Sequence, residues 1–495
     1  MMKKTPLAML LLSIPLMMPA VAYDGQQTTV KAPSLMAGVG FNEQYHHRQI
    51  ALWSLRQIHA NIPLVDDPWS VQLLHVMVNQ MNATVRQQPV IAMPLINDNQ
   101  VNAFAVPGGV IGLNTGVVLS ADGLDEVASV LAHEIAHLSQ RHYEQRADNH
   151  KKLLAWQMGG LLTALVASAA GGDAVLAVMA GSQAGMAESV AAHSREHERE
   201  ADRVGQQILS KSGYDAHAMP RFFHQLHRQV SLNQSSSVFI PSFMQSHPFT
   251  MERLSEATAR ASRYPTVPMS DKQNQARLFD LLYWRLKYLT RQTNLSELTV
   301  NVKQSQGARL ALAMFFMDDG QYDQAQKTLD EGNFIHDELL FVLVQADLLN
   351  AQHRYEEAVR LLKPLQAIYP ERRDVRLYLA KNLIATQQAP QAIALLQDLT
   401  KKTSHDVQAW QLMQRAYESK AYGDHDERSQ EISTIYALQA RSWTEFWTDK
   451  HEAALRSNAQ ALKIANAHKS LQSLVAMLQA DKEQIVMAKD FKPRF

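Results

Sequence analysis

The 495-residue chain contains no cysteine. That absence excludes disulfide cross-links, thiolate metal ligands and a cysteine nucleophile, so any bound metal must be held by His, Asp or Glu. A surplus of charge is missing too: 48 Lys+Arg balance 48 Asp+Glu, which gives no electrostatic reason to expect a nucleic-acid partner. The N-terminus also lacks an apolar run of spanning length, since residues 5–19 fall short of the ~20 that a transmembrane helix needs. What stands there is Lys3-Lys4, the short uncharged run, and Ala20-Val21-Ala22, with small residues at the two positions that signal peptidase reads. The expectation is a secretory signal over residues 1–22, cleaved after Ala22.

The chain is long enough for two or three domains, each with its own core, and large domains can be exported without disulfides. Residues 23–40 carry turn formers without a clear period and read as a leader or tether. From residue 41 to about 265 the pattern is mixed. Helical periodicity over 50–62 and 71–81 precedes an extended segment at 101–105, a Pro107-Gly108-Gly109 turn, and a second extended segment at 110–113. Helices are expected from near Asp122 and over 194–209. Between them, residues 153–187 hold a single charge, Asp173, among Gly, Ala, Leu and Met. This stretch reads either as a helical hairpin in peripheral contact with a membrane or as two tightly packed internal helices.

Beyond residue 304 the sequence turns wholly helical and repeats itself. Gly320-Gln321-Tyr322-Asp323-Gln324-Ala325 aligns with His353-Arg354-Tyr355-Glu356-Glu357-Ala358 and with Ala389-Pro390-Gln391-Ala392. The alanines recur with the ~34-residue period of the tetratricopeptide repeat, where a small residue lets the second helix of a pair approach the first. About four units are expected, one starting near Val407, with a late helical pair over 443–465. Such stacks form concave surfaces for peptides or partner proteins.

The chemistry is concentrated in His133-Glu134-Ile135-Ala136-His137. Positions four apart lie on one helix face, so His133 and His137 can aim at one ion, with Glu134 ~100° further round and able to serve as base. This is the HExxH arrangement of a catalytic zinc site, with ~0.04 chance occurrences expected from this composition. Val127, Leu131, Ile135 and Leu138 would form the packing side of an amphipathic helix. A catalytic zinc also needs a third protein ligand and an open position. Candidates cluster over 193–202. His193 and His197 are four apart but have no adjacent base. Glu198 and Asp202 are also four apart, on a face with Ala201 and Gly205; there Glu198 would bind metal while Asp202 accepts a hydrogen bond from a ligating histidine. Glu196 and Glu200 lie off that face and read as solvated.

Asn102-Ala103-Phe104-Ala105, the Pro107-Gly108-Gly109 turn, HEIAH at 133–137 and Ser-Arg-x-x-Glu-x-x-Ala-Asp at 194–202 together resemble the glutamate-zincin metalloproteases. With the signal sequence and C-terminal repeats, the chain is similar to periplasmic members of that family that serve outer-membrane β-barrel assembly. The resemblance implies an α+β zincin-like protease domain over 41–265, mainly helical with a small sheet. Connecting helices would follow over 266–303, then an all-α tetratricopeptide solenoid over 304–495. It implies one Zn2+ per chain, with Glu198 as third ligand and Glu134 as base. Substrate would pair with the edge strand Asn102, Ala103, Phe104 and Ala105, and the expected partners are protein substrates, outer-membrane β-barrel proteins and their assembly machinery. It also points to His247, in Ser246-His247-Pro248-Phe249-Thr250-Met251-Glu252-Arg253, as a fourth ligand on a loop that closes the site reversibly. Helix capping and an oxyanion role are the two other readings of His247.

Overall fold

The computed structural model describes residues 41–85, 90–142, 184–232, 243, 246–332, 338–423 and 426–493. The expected signal sequence, the leader and most of the apolar 153–187 stretch lie outside these residues. Two helices open the described chain, α1 (Phe41–Asn61) and α2 (Pro68–Ala83), followed by β1 (Leu95–Ile96), β2 (Ala103–Val106), β3 (Val110–Asn114) and α3 (Thr115–Ser120). Next come α4 (Leu124–Ser139), α5 (Ala184–Lys211), α6 (Ala218–Leu232) and α7 (Met251–Ala261). The small sheet has the order β1-β3-β2, with β1 parallel and β2 antiparallel to β3. Strand β2 therefore lies at an edge.

The extended segment expected from residue 101 pairs regularly only from Ala103 onward. Asn102 precedes the strand, although its carbonyl still accepts the Asn114 N–H at 3.0 Å. The β2–β3 turn needs glycine: φ is 89° at Gly108 and 100° at Gly109. A Cβ on Gly108 would also lie 2.2 Å from the His47 carbonyl oxygen, so this turn is pressed directly onto α1.

Two connecting helices, α8 (Met269–Leu289) and α9 (Leu295–Asn301), lead into a series of helical pairs. These are α10 (Gln306–Asp318) with α11 (Tyr322–Asp330), α12 (Leu339–Ala351) with α13 (Tyr355–Ile368), and α14 (Arg373–Ala385) with α15 (Ala389–Lys402). The chain continues through α16 (Val407–Gly423), α17 (Glu427–Trp447), α18 (His451–Asn466) and α19 (Gln472–Asp490). The repeat alanines sit where close approach demands them: Ala325, Ala358 and Ala392 are all fully buried. The late pair differs from expectation. Trp443 belongs to the end of the long α17, and the chain turns only after Trp447, because Trp443, Phe446 and Trp447 pack against Ile50, Leu55 and Ile58 of α1.

The two halves share one apolar interior. Trp69, Leu74 and Met77 of α2 belong to the same buried cluster as Leu340, Leu377 and Tyr378 of the repeats. Helix α8 wedges between α4 and α10, carrying Arg285 into the junction. Arg285 donates to both oxygens of Asp67, at 2.9 and 2.6 Å, and to the Tyr378 hydroxyl, which itself donates to Asp347. Asp67 caps α2 by accepting the Ser70 N–H, so this ion pair ties the helix cap to the repeats. A buried guanidinium and carboxylate in this geometry compensate each other's lost hydration.

Candidate metal centre

Helix α4 begins after Gly123 with Asp125 and Glu126 in its first turn, where carboxylates complement the helix dipole. Glu126 reaches back to accept the Asp122 N–H at 2.9 Å. The expected amphipathic character gives way to burial on nearly all sides; among its residues only Asp125 and Leu138 escape. Strand β2, α2, α5, α6 and α8 all pack around it, so the HExxH segment lies in a central helix. Burial costs a polar side chain its hydration, so the polar groups of this helix depend on contacts with neighbouring elements.

Helix α5 brings the second half of the site. Its approach depends on Gly205, where a Cβ would lie 3.3 Å from the backbone of His133. That contact places Glu198 and Asp202 opposite the two histidines. Nε2 of His133 is 3.3 Å from Glu198 Oε2, and Nε2 of His137 is 3.5 Å from Glu198 Oε1. The two Nε2 atoms are 3.0 Å apart. His247 completes the group, with Nδ1 3.1 Å from Glu198 Oε2 and 3.3 Å from His133 Nε2. Donor atoms of His133, His137, Glu198 and His247 thus lie within 4.8 Å of one another, all buried. Three imidazoles and one carboxylate, convergent and free of thiolate, suit zinc.

The other nitrogens of the histidines are held from behind. His133 Nδ1 is 3.1 Å from Asp202 Oδ1, an ion-pair contact rather than a well-aligned hydrogen bond. Arg253 of α7 donates to both oxygens of Asp202, at 2.7 and 2.8 Å, and to the Pro248 carbonyl at 2.7 Å. It therefore clamps the loop carrying His247 onto α5. Burial opposes the charge on His133, but the adjoining Asp202 and Glu198 carboxylates outweigh it and raise its pKa to about 9. For His137 burial dominates over the attraction of Glu198 and the pKa falls to about 3. Glu198 is held well below the carboxylate range because the His247 and His137 charges overcome its burial. Asp202 is likewise lowered, by Arg253 against its own burial.

Glu134 sits beside this cluster, fully buried, with Oε1 3.4 Å from His247 Nε2. The edge strand is near as well. The Phe243 N–H donates to the Val101 carbonyl just ahead of β2 at 3.0 Å, and the Phe243 ring stacks on His247 with centroids 4.8 Å apart. Thr250 caps α7 by accepting the Arg253 N–H, so capping falls to Thr250 and not to its neighbour His247. His197 lies outside the donor cluster, stacked on His142 at 4.5 Å; the His193 side chain is outside the described residues. Glu200, expected in solvent, is 36% exposed yet lies 3.3 Å from His142 Nε2.

Sequence reasoning quoted Arg253 without giving it a role, and passed over Phe243 and His142. For Arg253 a signal existed: it shares a face of α7 with Ala257 and Ala261 at four-residue spacing, all buried. An arginine on a face of small residues needs a buried anion. Nothing local marks the other two.

Residues 66–261 match peptidase family M48, a family of metallopeptidases, and residues 349–416 match a tetratricopeptide repeat. The chain is similar to the beta-barrel assembly-enhancing protease of Yersinia pestis, 27% identical over 390 residues, covering 75% of this chain and 77% of that protein. The protein of the same name from Escherichia coli K12 is 26% identical over 413 residues, covering 79% of this chain and 80% of the relative. Over a shorter stretch of 156 residues, 31% of this chain, the bovine mitochondrial metalloendopeptidase OMA1 is 26% identical.

Proposed function

Starting from the M48 peptidase domain that this chain carries ahead of its tetratricopeptide repeats, we propose a zinc-dependent endopeptidase of the periplasm. Its role is in outer-membrane β-barrel assembly, where it degrades misassembled clients that the repeats help to select. The observation that carries this reading is the buried convergence of His133, His137, Glu198 and His247 beside Glu134. The names of the similar proteins support the assembly role. Among the described residues no helix is long and apolar enough to cross a membrane.

His133, His137 and Glu198 would hold one Zn2+ per chain. When bound, zinc supplies a Lewis acid that polarises the peptide carbonyl and acidifies a water. Glu134 takes the proton from the attacking water and delivers it to the leaving amine as the C–N bond breaks. Asp202 fixes the orientation of His133, and Arg253 fixes Asp202. A substrate in extended form adds to the edge strand Asn102, Ala103, Phe104 and Ala105 through backbone hydrogen bonds.

His247 acts as a fourth ligand that closes this site. Its burial between Glu134 and Glu198 also favours a second reading, a chaperone-like assembly factor whose protease is normally repressed. Metal analysis of the purified chain, together with cleavage of an unfolded protein by wild type and His247→Ala, tests the proposal. About one zinc per chain with cleavage in at least one of the two supports it; absence of zinc, or of cleavage in both, rejects it. Cellular function that survives Glu134→Gln favours the second reading.

A further inference from the structure

His137 uses its two ring nitrogens in opposite directions. Nε2 enters the donor cluster, 3.0 Å from His133 Nε2 and 3.5 Å from Glu198 Oε1. Nδ1 points away and meets Nδ1 of His142 at 2.9 Å. His142 is fully buried, and its own Nε2 lies 3.3 Å from Glu200 Oε2. The backbone arranges this encounter: α4 ends at Ser139, and Arg141 adopts φ 59°, a left-handed turn that folds His142 back beneath the last turn of the helix. Glu198 and Glu200, two positions apart on α5, serve different partners, one at the donor cluster and the other at His142.

Two imidazole nitrogens 2.9 Å apart form a hydrogen bond only if one carries the proton and the other a lone pair. Glu200 determines which. A carboxylate accepts, so the proton of neutral His142 belongs on Nε2, leaving Nδ1 as acceptor. His137 must then hold its proton on Nδ1, and its Nε2 presents a lone pair to the donor cluster.

We propose that His142 and Glu200 are positioning residues of the metal centre: Glu200 sets the tautomer of His142, which orients His137 and keeps its Nε2 ready for metal. The assignment rests on His137 being a ligand. Stacking of His142 on His197, at 4.5 Å and 12°, holds the relay ring in plane. Arg203, 3.3 Å from the other Glu200 oxygen, helps hold the carboxylate in place.

The test is the zinc affinity of the full-length chain, measured by competition with a chromogenic chelator. His142→Phe keeps the ring and its stacking but removes both nitrogens, and should weaken zinc binding ~10–100-fold. His142→Asn places an amide oxygen near the Nδ1 position and should recover most of that loss. Glu200→Ala, at a half-exposed site that folding tolerates, should lie between wild type and His142→Phe. Wild-type affinity in both His142→Phe and Glu200→Ala overturns the proposal, as does an equal loss in His142→Asn and His142→Phe. Glu198→Ala run alongside separates the two levels: if it too binds zinc like wild type, the ligand set itself is wrong.

Discussion

Nε2 of His247 lies 3.4 Å from Oε1 of Glu134, while its Nδ1 lies 3.1 Å from Oε2 of Glu198. One imidazole therefore spans the Glu134 and Glu198 carboxylates and fills the space between them. Arg253 holds the loop through the Pro248 carbonyl, and Phe243 seals it against the strand edge.

From this geometry His247→Ala should raise cleavage of an unfolded substrate and self-cleavage several-fold. In a Glu134→Gln background the same change should do nothing. Rates of the single and double variants decide the matter; a clear drop in the single variant means that His247 serves catalysis rather than closure.

Glu134→Gln should retain about one zinc per chain and lose hydrolysis by ~100-fold or more, the contribution of a general base. Metal content and peptidase rate are measured on the same preparation. Loss of zinc along with activity would make Glu134 a metal-site residue instead of a base.

Glu198→Ala should weaken zinc far more than Glu196→Ala, because Glu198 is fully buried among the donors and Glu196 is exposed. Normal zinc retention by Glu198→Ala would remove it from the ligand set.

At the junction of the two halves, Arg285→Met should cost about 3–5 kcal/mol of stability, since it leaves Asp67 buried without its counterion. Combining it with Asp67→Asn should restore a large part of that loss. Thermal unfolding of the single and double variants checks both statements, and a single variant as stable as wild type would refute the coupling.

His75 of α2 lies near Arg373 and Asp406, and His405, the chain neighbour of Asp406, lies near both His75 and His59. Lost hydration lowers the pKa of each to about 4 from 6.5. The unfolded chain then binds more protons between these limits, so stability is full above pH 6.5, falls as pH drops toward 4, and levels off below that. The loss should be on the order of 3 kcal/mol for each histidine. Melting curves from pH 7.5 to 4.5 measure it, and His405→Gln should flatten the slope; an unchanged slope would assign the effect elsewhere.

The parts of this protein that were legible in its sequence are those governed by local periodicity. A four-residue spacing puts His133 and His137 on one face wherever that helix lies, and a ~34-residue period with alanine at each recurrence specifies paired helices before any partner is known. Glycines at 108 and 109 announce a turn that few other residues could make. What spacing alone left open was the partner of each group. Spacing put Glu198 on a face with Gly205, and the close approach of Gly205 to the His133 backbone is what brings that face of α5 against α4. Arg253, Phe243 and His142 meet the site only through packing between segments distant in the chain. Glu200 looked solvated because a helix face shows where a side chain leaves the backbone, not what another segment brings to meet it. The same holds for the shared core: repeats of this type can stand as a separate stack, and only the burial of Trp443, Phe446 and Trp447 against α1 and of Arg285 against Asp67 joins them to the peptidase half. Helix periodicity acts over a few residues, whereas burial and ion pairing depend on which surfaces the whole chain brings together, and that is decided in three dimensions.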